Sequence, residues 1–390
     1  MRLQPLRWGG RVAVGLAVSS ALVLSACGGS GGGSDSSASG LSPEQTQACM
    51  DKANAGLADY AQFATTLPAS PPARYTTLDQ RPPAGKRIIM VRQNFPATAS
   101  AFAAVQEATA SLGWTAEAIV YDTTVPDFVA KMDQAIASKP DFIVEMGLPV
   151  GSFQKQVDAA KAAGITVLTA STSDSPASIP GYGGSADGAE TAKLIGRLQA
   201  YKTMQDSNCT GNTAVFSMDY PVLELSEESY TATVAELCPT CRVDVQKLQP
   251  KDLGTPAASA QMVSKLQSDP SIGYAYTIIG DIGSGLAQAL KPAGLENVKI
   301  FGQVPNETSI ADLRNGTNAW WINQSSTIEG YELVDMAARI SVTGQLQSDP
   351  GGFPLAILTP QNVPPGQSVP VVPANILDLY KATWKVGSSS

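Results

Sequence analysis

The stretch KRIIMVRQNFPATASAFAAVQEATASLGWTAEAIVYD, residues 86–122, decides the fold. RIIMV (87–91) is a short apolar run and reads as a buried strand. AFAAVQEATASLG (101–113) reads as a helix closed by Gly113, a suitable C-cap. AEAIVYD (116–122) is a second strand. Strand, helix and strand in this span make one βαβ unit, with parallel strands and a right-handed crossover.

The alternation continues outward. VPDFVAKMDQAIAS (125–138) and GSFQKQVDAAKAAG (151–164) read as helices, DFIVEM (141–146) and ITVLTAS (165–171) as strands. A second series starts with TAVFSMD (213–219) and LSEESYTATVAEL (225–237). It runs on through RVDVQKL, AASAQMVSKLQSD, YAYTIIG, GSGLAQALKPAG and VKIFGQ. The expected class is α/β, with two doubly wound parallel-sheet lobes meeting near GSADGAETAKLIGRLQAY (184–201). In such sheets ligands sit beyond the carboxyl ends of the strands, so two facing lobes make a cleft.

Composition narrows the chemistry. The 390 residues include no histidine, which excludes Ser-His-Asp and Cys-His catalysis and His-ligated zinc. The formal charge of −8 argues against a phosphate-neutralising surface, so no nucleic-acid partner is expected. Only 15% of residues are charged, against roughly 25% in an average soluble protein. There is no G-x-G-x-x-G after the first strand, no Walker loop and no G-x-S-x-G. Gly280 to Gly285 reads as a strand-to-helix turn. No enzyme activity, cofactor or metal is expected.

At the amino terminus, Arg2, Arg7 and Arg11 precede an apolar run from Val12 to Leu24. That run is too short to span a bilayer as a helix but suits a secretory signal. Leu24-Ser25-Ala26-Cys27 resembles a bacterial lipobox, which implies cleavage after residue 26 and a lipid on Cys27. The alternative is an ordinary signal peptide with Cys27 incidental. GGSGGGSDSSASG follows at once and reads as a flexible tether, taken here as residues 27–43. The expected location is extracytoplasmic, anchored to the cell membrane.

Residues 44–85 read as a helix capped by Ser42, followed by a Pro-rich extension. Lobe 1 is expected over 86–187 plus 325–350, lobe 2 over 188–324 plus 351–384, and a tail over 385–390. An oxidising compartment makes Cys49, Cys209, Cys238 and Cys241 disulfide candidates. Cys238-Pro-Thr-Cys241 follows a helix rather than opening one, which favours a structural over a redox role. Cys209 precedes one strand and Cys241 another. If these strands are parallel neighbours, a bridge from Cys209 to Cys238 or Cys241 is expected, with Cys49 tying down the first helix.

The order of elements over roughly 86–348 resembles the ribose-binding type of periplasmic solute-binding proteins, the type I fold. The segments that carry it are the first strand and its turn at Pro96, AAKAAGITVLT, Gly184-Ser-Ala-Asp187, Gly280-Asp281 before LAQALKPAG, KIFGQ before ADLRNG, and Asn323-Gln324 before a helix through Gly330. The resemblance implies two lobes that close like a hinge on one small molecule and present it to an ABC permease. It implies crossings between lobes near Asp187–Gly188, Gln324 and Gly351–Phe353. The pocket departs from the sugar-binding pattern. Met146 stands where those relatives have Asn, Ser171-Thr172 where they have Asp-Arg, Gln303-Val304 where they have Phe-Asp, and Ala97-Thr98 where they have stacking aromatics.

The candidate ligand residues are therefore the strand-end positions Arg92, Asn94, Phe95, Met146, Gly147, Ser171, Thr172, Ser173, Asp219, Tyr220, Asp281 and Gln303. Asn323 and Gln324 join them at a crossing. Phe95 and Tyr220 are placed to sandwich a ligand. Arg92 is placed to pair with a ligand carboxylate or with Asp219. The expected function is capture of a small molecule, sugar-like or less polar, by a monomeric lipid-anchored receptor for an ABC importer. The alternative is a ligand-sensing subunit of a membrane signalling receptor. A carboxylate-based hydrolase is the third reading.

Overall fold

The computed structural model describes residues 40–60, 76–174, 182–344, 353–366 and 369–387. Cys27, the expected signal segment and most of the tether lie outside the described residues. The first helix, α1 (Pro43–Leu57), starts at a capping box. The Ser42 hydroxyl accepts from the Gln45 N–H, while the Gln45 side chain accepts from the Ser42 N–H.

The first lobe contains β1 (Arg87–Gln93), α2 (Pro96–Leu112), β2 (Thr115–Tyr121), α3 (Val125–Ala137), β3 (Phe142–Met146), α4 (Gln154–Ala162), β4 (Thr166–Ala170) and β5 (Tyr182–Ser185). Its five strands run in the order β2-β1-β3-β4-β5, all pairs parallel, with Ile89 opposite Ile143. Every residue of the central β3 is buried, as a sheet covered on both faces requires.

The second lobe follows through α5 (Ala189–Ser207), β6 (Asn212–Ser217), α6 (Pro221–Leu237), β7 (Val243–Lys247), α7 (Pro256–Ser268), β8 (Ile272–Thr277), α8 (Gly280–Gly283) and α9 (Leu286–Leu290). β9 (Lys299–Gln303), α10 (Glu307–Arg314) and β10 (Asn318–Gln324) continue it. The chain then returns to lobe 1 as α11 (Ser326–Thr343). β11 (Leu355–Leu358) pairs antiparallel with β10, giving the six-stranded order β11-β10-β9-β8-β6-β7. This antiparallel edge strand adds to the parallel sheet expected from sequence.

The last helix, α12 (Ile376–Thr383), was expected with lobe 2 but packs on lobe 1. Ile376, Leu377, Leu379, Tyr380 and Trp384 join the core built by β1, α2 and α11. The Trp384 indole N–H donates to Asp335 of α11 at 2.7 Å, and the Leu78 N–H donates to the Thr383 carbonyl at 2.9 Å. Val372 still packs in lobe 2, so the chain changes lobe once more between Val372 and Ile376. At the other end α1 packs on α5, placing Cys49, Ala53 and Leu57 in the lobe 2 core.

The disulfides correct the sequence expectation. Cys209 bonds to Cys49, and Cys238 bonds to Cys241. β6 and β7 are indeed parallel neighbours, and the Cys238 sulfur lies 3.2 Å from the Cys209 carbonyl. The Cys209 side chain points the other way, toward α1. Asn208 and Cys209 both have positive φ after α5, and Cys209 is joined to α1 rather than to the neighbouring pair.

Two helix pairs pack at near-backbone distance. A Cβ on Gly196 of α5 would lie 2.3 Å from the Ser226 carbonyl of α6, and one on Gly330 of α11 would lie 2.3 Å from the Ala101 carbonyl of α2. Only glycine fits either crossing.

Candidate functional site

The carboxyl ends of both sheets face each other, and two turns of the same design project aromatics there. After β1 comes Phe95-Pro96, and after β6 comes Tyr220-Pro221. Each proline takes the first position of a helix, and each aromatic is the N-cap in extended backbone, at φ −106° and −122°. Proline disfavours the helical region for the residue before it, so the aromatic is held out of the helix at the cleft wall. Tyr220 packs on the cores of both lobes.

Between the lobes lies a cavity of about 100 Å³. Lobe 1 supplies Gln93, Phe95, Ala97, Thr98, Met146, Gly147 and Ser171, and lobe 2 supplies Ala192, Met218, Tyr220, Val222, Leu223, Ile279, Asp281, Gln303 and Val304. Gln324, Ser326 and Glu329 close it at the hinge. Most of this wall is apolar. Gly147, Ser171 and Val304 all have positive φ at strand ends. A β-branched residue rarely adopts that conformation. Val304 is held there because its N–H donates to the Ile322 carbonyl and its own carbonyl accepts from the Gly280 N–H.

The hinge is a buried polar knot. The Gln324 amide donates to Asp187 at 2.6 Å and to Glu329 at 3.0 Å. The Ser171 hydroxyl donates to Glu329 at 2.6 Å, and the Ser171 N–H donates to Asp187 at 2.6 Å. Burial, and then the charge of Asp187, push the Glu329 carboxyl well above its ordinary range. Asp187 thus acts at the crossing, while the N-cap of α5 is Gly188. Beyond the hinge, Tyr276, Phe301 and Trp320 stack in the lobe 2 core, and the Trp320 indole N–H donates to Gln199 at 2.7 Å.

A model of the periplasmic binding protein domain matches residues 88–345. The chain belongs to the periplasmic binding protein family. Solved structures of the same fold include GanP, a glucose-galactose binding protein from Geobacillus stearothermophilus. Its TM-score is 0.63 at 18% identity, covering 72% of this chain and 100% of that one. A 5-methylthioribose transporter solute-binding protein from Thermotoga lettingae gives 0.62 at 16%, covering 72% and 89%. A sugar ABC transporter protein from Yersinia enterocolitica gives 0.65 at 15%, covering 78% and 96%. No curated protein matches the sequence. The family is one of solute-binding proteins, and its two-lobed fold is the one described above.

In this periplasmic binding protein the cavity gathers Phe95, Met146, Gly147, Ser171, Tyr220, Asp281, Gln303 and Gln324 from the sequence candidates. The others stand elsewhere. Arg92 pairs neither with Asp219 nor with the cavity. Its guanidinium donates to the Gln93 carbonyl and lies 5.9 Å from the centre of the Phe102 ring. Asn94 and Asp219 are exposed, and Ser173 stays outside the lining. Thr172 is fully buried, its hydroxyl donating to Asp174 at 2.8 Å. Asn323 points away and donates to the Pro370 carbonyl. Trp320 and Trp321 are buried off the cleft.

Sequence reasoning missed Gln93, Met218, Val222, Leu223, Ile279, Ser326 and Glu329 as lining residues. Alternation along β1 held a usable signal. Gln93 ends the strand, where its buried amide donates to the Met146 carbonyl at 3.2 Å. Among the described residues no group of His, Cys, Asp or Glu could hold a metal ion, and no helix is long and apolar enough to cross a membrane.

Proposed function

We propose that this protein captures a small molecule, sugar-like or less polar than common sugars, and delivers it to an ABC importer from a lipid anchor on Cys27. The observation that supports the reading is the inter-lobe cavity, with Phe95 and Tyr220 entering from opposite lobes and Gln324 at its hinge. Relatives of the same fold are named for glucose-galactose, 5-methylthioribose and sugar transport. The methylthio group of the second is the kind of apolar substituent that Met146, Met218 and Ile279 would accept. Capture needs hydrogen bonds and closure rather than a chemical step, so the missing histidine costs nothing.

The test is a thermal-shift screen on the purified protein, followed by calorimetry on the hits, since binding to the folded state alone raises the melting temperature. Ribose, xylose and glucose should bind weakly, and deoxy, alkylthio or aryl analogues better. A dissociation constant near a micromolar or below for any of the three plain sugars would overturn the apolar reading. Phe95→Ala and Tyr220→Ala should each weaken the best hit by about tenfold. If neither changes its affinity, the aromatic sandwich is wrong.

A further inference from the structure

The charge balance of the cavity points to a class of ligand. Asp281 and Glu329 bring two carboxyl groups to the wall, and among the described residues no lysine or arginine lines it. Arg92, which could have supplied a positive charge, is committed to the Gln93 carbonyl and the Phe102 ring.

The two carboxyl groups are not equivalent. Glu329 takes its hydrogen bonds from Ser171 and Gln324 within the hinge. Asp281 is only half satisfied. Its Oδ1 accepts from the Asn306 amide at 2.8 Å, while its buried Oδ2 has no hydrogen-bond partner within 3.5 Å among the described residues. The residue is 8% exposed and lines the cavity. Burial raises this carboxyl above the ordinary aspartate range, while the Asn306 amide and the Ala97 N–H, which reaches it as a backbone donor from the start of α2 in the other lobe, pull it back down; neither donor is a full cation.

A carboxylate in an apolar wall without a counter-charge is costly. A ligand with a carboxylate or phosphate would add like charge. A neutral hydroxyl would supply a donor and leave the charge uncompensated. A protonated amine supplies donor and charge together. The ring faces of Phe95 and Tyr220 attract a cation as well. We propose that the ligand carries a protonated amine directed at Asp281 Oδ2, with its apolar body between Phe95 and Tyr220. The proposal rests on the reading of this cleft as a small-molecule site.

Matched pairs that differ in one group test it: cyclohexylamine against cyclohexanol, 2-phenylethylamine against 2-phenylethanol, and glucosamine against glucose. Each is titrated calorimetrically into the purified protein near neutral pH. The amine should bind about tenfold tighter or more in at least one pair. Asp281→Asn keeps an acceptor for Asn306 and removes the charge, so it should abolish that preference. Asp281→Ser is read in the same way if the first variant does not fold, and the wild-type ratio needs no variant. Equal affinities, a preference for the alcohols, no amine binding at millimolar concentration, or a preference that survives both variants overturns the inference. Neutral ligands that bind the cleft regardless of Asp281 would overturn it and leave the solute-binding reading standing. Silence from amines, alcohols and sugars alike would count against both.

Discussion

Glu145 shows how much the interior of lobe 1 constrains a single side chain. It is fully buried at the end of β3. One oxygen accepts from the Leu148 N–H at 3.3 Å, and the other has no hydrogen-bond partner among the described residues. Burial, with the charge of Asp174 adding to it, raises its carboxyl well above the ordinary value of 4.5. Tyr121, Tyr182 and Tyr220 are its other titratable neighbours. The native state therefore keeps a proton that the unfolded chain releases near 4.5. Its contribution to stability is complete below that value and is lost as pH rises through the raised native one. Glu145→Gln is neutral throughout, so as pH rises above about 4.5 its melting temperature should fall less steeply than wild type until the raised native value is passed. Equal slopes in the two pH profiles would refute this. At this scale a strand end was legible as a place and not as a direction. Phe95 and Tyr220 were readable from the prolines that follow them. Asp219 sits one position from Tyr220 and Arg92 three from Phe95, and both point elsewhere, because successive side chains alternate in side.

At the level of elements, the helix pairs α5–α6 and α2–α11 depend on Gly196 and Gly330. Gly330→Val drives a branched side chain into the Ala101 carbonyl. It should cost about 1–3 kcal/mol or more in urea unfolding, and an unchanged midpoint would mean that α11 can shift away from α2. The disulfide from α1 to the end of α5 spans 160 residues of sequence. Its removal by Cys49→Ser should cost about 2–5 kcal/mol. The short Cys238–Cys241 loop should matter far less to global stability, which melts of Cys49→Ser and Cys238→Ser beside wild type would compare. Most strands and helices were legible, because Ile- and Val-rich runs alternate with amphipathic segments closed by glycine. β5 was not, since Tyr-Gly-Gly-Ser carries no strand pattern and is held by its pairing with β4. The lobe assignment of α12 was also hidden. Its apolar face, from Ile376 to Tyr380, needs a cover, and only the fold says that α11 provides it.

Across the whole molecule, Gln324 joins carboxyl groups from two places where the chain changes lobe, Asp187 at one and Glu329 just beyond the other. Gln324→Leu leaves both short of a donor inside the hinge. It should destabilise the protein by about 1–3 kcal/mol, read by urea unfolding. An unchanged free energy would show that the hinge re-pairs without it. The two end helices matter in another way. α1 is fastened to lobe 2 by the Cys49–Cys209 bond, whereas α12 is sealed into lobe 1 through Tyr380 and Trp384. One end of the described chain thus sits on each lobe. A donor dye on exposed Lys52 of α1 and an acceptor on exposed Lys385 just past α12 would turn hinge motion into a change of energy transfer. If the lobes close on a ligand as proposed, the protein would serve as an optical reporter of its own occupancy, with no label needed near the cleft.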